Sequence, residues 1–122
     1  MSRVVIEDVE LLALHHAIMH GKFFENPRLP EAQGSPHLAA VADRVLDALA
    51  AKDERWNEWR QASPTRHAEL LESVRQHLKK TRRLPAWQTW SHEKRRKVVR
   101  LLLSPLIADD ELVDLLIPAT DA

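Results

Sequence analysis

The chain contains no cysteine. Disulfides, thiol catalysis and cysteine-based zinc sites are therefore excluded, and a reducing compartment is the natural setting. Glycine occurs only twice, as Gly21 and Gly34, and tyrosine not at all. Two glycines cannot build the glycine-rich loops that cradle phosphates in dinucleotide-binding and P-loop sites. No nucleophile elbow is present either, so the chain reads as non-enzymatic. Scarce glycine with few β-branched runs argues against a sheet protein. The apolar runs fall far short of the ~20 residues that span a bilayer. The opening MSRVVIEDVE turns acidic at once and lacks a secretory pattern. The expectation is a cytoplasmic protein with no membrane segment.

What is present points to a globular helical domain. The 122 residues suit one domain, 1–122, with 44% apolar and 30% charged residues. A first helix is expected over 4–20, with Val5, Val9, Leu12, His16 and Met19 on the inward stripe and Leu11, Leu14 and Ile18 widening it. Gly21 is placed to end it as a left-handed cap. A long loop, 21–35, follows, pinned to the core by Phe23 and Phe24. Ser35-Pro36 combines an N-cap with a first-turn proline and should open a helix to Arg60, with Leu38, Val41, Val45, Leu49, Trp56 and Trp59 on one face. Ser63-Pro64 repeats the device before a third helix over 65–80, with His67, Leu70, Leu71, Val74 and Leu78 inward. After a connector over 81–90, in which Leu84 must be extended before Pro85, Ser91 should cap a helix over 92–103. Ser104-Pro105 is a further start or a kink. An acidic C-terminal helix lies within 105–118, carrying Leu112, Val113, Leu115 and Leu116 and stopped by Pro118. The fold class is all-α, a compact bundle of about five helices.

The zero net charge conceals a strong division. Residues 1–60 carry seven Lys/Arg against ten Asp/Glu, residues 61–100 eleven against three, and residues 101–122 none against five. The basic segment 79–100, KKTRRLPAWQTWSHEKRRKVVR, concentrates nine cations and a single acid, Glu93. Lys79, Lys80, Arg82 and Arg83 precede Trp87 and Trp90, and Lys94, Arg95, Arg96, Lys97 and Arg100 follow. Several cations on one surface are what phosphate neutralisation requires, and an exposed indole between them would offer a base a stacking platform. These eleven residues are the candidate nucleic-acid contacts. Nothing in the pattern separates DNA from RNA. The connector is too long for a helix-turn-helix, which turns in three or four residues, so backbone contact is expected rather than sequence readout.

His16 and His20 have the i, i+4 spacing of two metal ligands on one helix face, and His67, His77 or Glu10 would have to complete such a site. The HExxH pattern is absent, because Ala17 stands where its Glu would be. No metal or other cofactor is assigned. The carboxylates of Asp109 and Asp110 are explained by capping at a helix start. The acidic C-terminal segment either closes the bundle, docks into a basic partner, or folds over the basic stretch and competes for it.

In architecture alone, this profile is similar to small helical subunits of larger nucleoprotein machines, such as the small subunit of CRISPR effector complexes. The resemblance implies a subunit that lines nucleic acid with a basic strip beside other protein subunits. The alternative is a protein-interaction module, such as an adaptor, inhibitor or immunity-like protein, whose divided charge steers a partner.

Overall fold

A computed structural model describes residues 5–24 and 35–117, except the side chain of Phe24. Among them are seven α-helices, five of at least seven residues, and no strand beyond one isolated parallel bridge between Gln61 and Ile107. The all-α bundle expected from the sequence is the fold observed.

Helix α1 spans Asp8–Met19 and opens with a capping box between Glu7 and Glu10. Its inward face differs from the one expected. Leu11, His15, Ile18 and Met19 are buried, whereas Val5 and Val9 are 88% and 81% exposed and Leu12 and His16 are also outside. Apolar residues lie on every side of this helix, so periodicity alone does not choose a face. The choice is made by its partner, helix α2 (Pro36–Lys52), and by His15, which packs against Trp56 and Trp59.

Gly21 does not terminate the helix in a left-handed conformation. No described glycine has positive φ, and the chain continues through a π turn, His20–Phe24. The wider turn carries Lys22 and Phe23 inward to 2% and 5% exposure. Phe23 thus joins the core as expected, though from helical backbone rather than a loop. The rest of the expected loop, and the residues from Pro118 onward, lie outside the described residues.

Ser35 caps α2 as its sequence implies, its Oγ accepting from the Leu38 amide at 3.2 Å. The helix stops at Lys52 rather than Arg60. Asp53 takes extended backbone, φ −147° and ψ 107°, and its carboxylate accepts from the Arg55 amide at 3.1 Å and from the Arg55 guanidinium at 2.8–3.2 Å. A short polar side chain bonding nearby backbone competes with helix propagation, and the chain restarts as α3, Arg55–Trp59.

Ser63-Pro64 starts a single turn, closed by His67 N–H donating to the Ser63 carbonyl at 2.8 Å. Helix α4 proper runs Ala68–Thr81 and buries Leu70, Leu71, Val74 and Leu78, with His67 buried beside them. Leu84 is extended, and Pro85 opens the short helix α5, Pro85–Thr89, inside the expected connector. Helix α6, His92–Leu103, is capped by the Ser91 hydroxyl, which accepts from Lys94 N–H at 3.1 Å. Ser104-Pro105 forms a turn rather than a new helix. Helix α7, Asp110–Leu116, is capped by Asp109, whose carboxylate accepts from Leu112 N–H at 2.8 Å. It buries Val113 and Leu116 and leaves Leu115 outside, against expectation.

Two buried clusters result. Leu11 and Ile18 pack with Ala42, Val45, Leu46 and Leu49 between α1 and α2. The larger cluster joins Met19 and Phe23 to α4, Trp87, α6 and α7. Trp59 packs against both. Lys22 ties the π turn to α6: its Nζ donates to the Leu101 carbonyl at 2.9 Å and to the Ser104 carbonyl, at the open end of that helix. Burial depresses its pKa from the ordinary lysine value to about 8, with Asp43 opposing.

Candidate nucleic-acid interface

The eleven sequence candidates fall into three environments. Lys79 and Lys80 are exposed on the last turn of α4, where cations complement the helix dipole. Arg83 is exposed in the turn that follows, with Arg82 half-buried beside it. Lys94 and Lys97 are exposed one turn apart on α6. Lys79, Lys80, Arg83, Lys94 and Lys97 make no ion pair among the described residues.

Arg95, Arg96 and Arg100 are committed within the fold. Arg95 donates twice to the Trp87 carbonyl, from Nη2 at 2.7 Å and Nε at 3.2 Å, with its guanidinium 4.7 Å from the Trp87 ring centroid. Arg96 forks onto Asp114 at 2.7 and 2.9 Å and also meets Glu93 at 3.2 Å and Asp110 at 3.6 Å. Arg100 pairs with Asp110. His92 reaches the same Asp114 carboxylate at 3.0 Å. The hydrogen bonds from Arg96 hold the Asp114 carboxyl down at about 2 and raise the Arg96 guanidinium. Asp110, read from the sequence as part of a cap, is in fact an arginine partner. Helix α7 therefore both closes the core with Val113 and Leu116 and neutralises two of the nine cations.

Trp87 and Trp90 also part company. Trp87 is 1% exposed in the core, so it has no open face for a base. Trp90 is half-buried, 5.7 Å from Trp87 between ring centroids, with the Lys94 ammonium 5.5 Å from its ring. It is the candidate platform of the pair.

Among the described residues no group of three His, Asp or Glu side chains converges as ligands would. His15 is 3% exposed, wedged against Trp56 and Trp59 at ring-centroid distances of 5.0 and 5.2 Å. Burial, with His16 adding to it, lowers its pKa to about 4, so the ring is neutral at physiological pH. Burial also lowers His67 and His77.

Comparison with known proteins leaves the site to be judged on this geometry: no family model, curated protein or solved structure matches the chain. Among the described residues no helix is long and apolar enough to cross a membrane.

Proposed function

We propose that the protein binds nucleic acid through its phosphate backbone, using the corner where α4, α5 and α6 meet. The carrying observation is the set Lys79, Lys80, Arg83, Lys94 and Lys97, exposed and outside the ion pairs of the described residues, Lys79 alone being felt by a nearby carboxylate, Glu72. Half-exposed Trp90 beside Lys94 adds a surface on which one base stacks. The contact is narrower than the basic segment as a whole, because Arg96 and Arg100 already answer to α7 and Arg95 anchors Trp87. Such a surface reads charge and spacing rather than bases. A polyanion-binding surface on a chain this small suits a subunit seated beside others in a nucleoprotein assembly.

Five phosphate contacts give a salt slope of about −3.5 on a single strand and about −4.5 on a duplex. Titration of tryptophan fluorescence with single- and double-stranded DNA and RNA at several salt concentrations measures it. Replacing Lys79, Lys80, Lys94 and Lys97 together by Gln leaves a slope of about −1, with the fold intact because all four are outside. Unchanged affinity in that variant sinks the reading.

A second reading, a protein-interaction module, is favoured by the outer face of α1. Val5, Val9 and Leu12 are exposed there next to Glu7, Asp8 and Glu10. The matching partner has an apolar face with basic edges. Co-purification after nuclease treatment separates the two readings: a partner that persists favours this one.

A further inference from the structure

The large apolar side chains left exposed among the described residues fall in three places. One is the opening of the chain with the outer face of α1. The second is Leu84, 53% exposed, and the third is the pair Ile107 and Leu115, 47% and 73% exposed. The last two differ in form and in the sign of the charge around them.

Ile107 and Leu115 line a groove of about 310 Å³ between the turn after α3 and the start of α7. Ala62, Pro64 and Leu112 extend its apolar lining, and Asp109 and Glu111 are its charged groups. The backbone joins two of its walls: Ala62 N–H donates to the Ile107 carbonyl at 2.8 Å, and Ile107 N–H to the Arg60 carbonyl at 2.7 Å. Asp109 accepts from the Leu112 amide and keeps its charge. Neither Asp109 nor Glu111 belongs to an ion pair of the described residues. No cation lines the groove among the described residues, and residues 101–122 contain no lysine or arginine. An exposed apolar groove with an acidic rim fits a partner that offers an apolar side chain between cations.

Leu84 is such a side chain. The Arg83 and Leu84 amides donate to the Lys80 and Thr81 carbonyls at 3.2 and 3.0 Å, and the Leu84 carbonyl accepts from Trp87 N–H at 3.0 Å. Its backbone is extended before Pro85, φ −72° and ψ 135°. A side chain presented on backbone already held in this way gives up little further freedom on docking. Lys79, Lys80 and Arg83, all exposed, precede it. Leu84 cannot fill the groove of its own chain. Helix α4, 14 residues and about 21 Å long, stands between Leu84 at its far end and Pro64 at the groove. One chain therefore carries both halves of a contact that it cannot close on itself.

We infer that the groove receives the Leu84 corner of a second copy of the chain. Leu84 of one copy lies against Ile107, Leu112 and Leu115 of the next, and Asp109 and Glu111 face Lys80 and Arg83. The opposite charges of the two rims set which face meets which. Two different surfaces meet, so the contact is heterologous and repeats as a head-to-tail row or closes as a ring. It does not rest on nucleic-acid binding and is measured with no nucleic acid present.

The test is sedimentation of the full chain up to about 1 mM, because a contact of this size lies below the ~1,200 Å² of standard interfaces. Association is expected at about 0.01 M ionic strength, where charges act over about 30 Å, and about tenfold weaker association at about 0.1 M, where they act over about 10 Å. Leu84→Asp leaves every lysine and arginine in place, and Leu115→Lys leaves the groove acids in place. Both positions are exposed, and urea denaturation close to the wild-type midpoint shows that each variant keeps the fold. Each variant alone should be monomeric. Mixed in equal amounts they should form a dimer that grows no further, since the leucine corner of one still fits the groove of the other. A wild-type chain that stays monomeric, a variant that associates as the wild type does, or a mixture that stays monomeric overturns the assignment. Association that survives both substitutions places the interface on α1 instead.

Discussion

The spacing Trp-x-x-Trp occurs twice, and the two copies do opposite work. Trp56 and Trp59 sit 5.6 Å apart at 75°, Trp87 and Trp90 5.7 Å apart at 59°. Each pair belongs to a five-residue helix or its cap. The first pair is ringed by neutral imidazoles, His15 against both indoles and His67 against Trp59 at 5.1 Å. Its Trp59 bridges the two buried clusters, and both half-buried indoles line a pocket of about 640 Å³. The second pair is ringed by cations, Arg95 on Trp87 and Lys94 on Trp90. One of its members is fully interior and the other faces the basic corner. Identical spacing thus yields a cavity wall in one place and a charged anchor in the other, and the neighbours brought by tertiary packing make the difference.

The comparison breaks most sharply at Trp87. Trp87→Ala should cost about 3–5 kcal/mol by urea denaturation, as removal of a fully buried indole does. Trp56→Ala, at a half-exposed position, should cost about 1–2 kcal/mol. Equal costs would mean that the two pairs carry the same structural weight. Next in size is an acid effect belonging to the first pair. The folded pKa of His15, about 4, lies below its unfolded value of 6.5. The unfolded chain therefore takes up the proton first, and stability falls as pH drops from 6.5 to 4. The loss from this residue is on the order of 3 kcal/mol. His15→Leu should flatten that part of the curve when melting is followed against pH.

Arg95→Ala tests the second pair. It removes two hydrogen bonds to the Trp87 carbonyl and the cation above the ring, for about 1–2 kcal/mol, read by the same denaturation. Lys94→Gln is the smallest change, about 0.5 kcal/mol or less in stability, since an exposed cation–π contact contributes little. It should nevertheless alter the Trp90 emission and, with nucleic acid present, reduce the salt slope by about 0.7–0.9.

Much of the fold was legible because its punctuation is local. Ser35-Pro36 and Ser91 cap where side-chain oxygens imply, Leu84 is extended before Pro85, and α4 turns its apolar stripe inward. The errors arise where local signals are silent. Residues 50–59 are good helix formers on either side of Asp53, and only the Asp53–Arg55 bonding explains the break. Apolar residues lie on every side of helix α1, so its inward face is set by α2 and by a histidine whose burial no polarity scale anticipates. At the basic segment the sequence counts nine cations but is blind to which are taken. Asp110 and Asp114 reach Arg96 and Arg100 only once α7 has packed on α6.

Lys22 has a consequence for the chemistry of the folded chain. Near pH 8 its amine is half neutral, the form that attacks acylating reagents, yet it is 2% exposed. Lys52, Lys79, Lys80, Lys94 and Lys97 are all outside. In a timed acylation followed by peptide mass spectrometry, those five mark the surface in one early phase. Lys22 acquires label only when the π turn lets go of the end of α6. Its labelling rate is then a direct count of how often the π turn and α6 separate, from a reporter the sequence already carries.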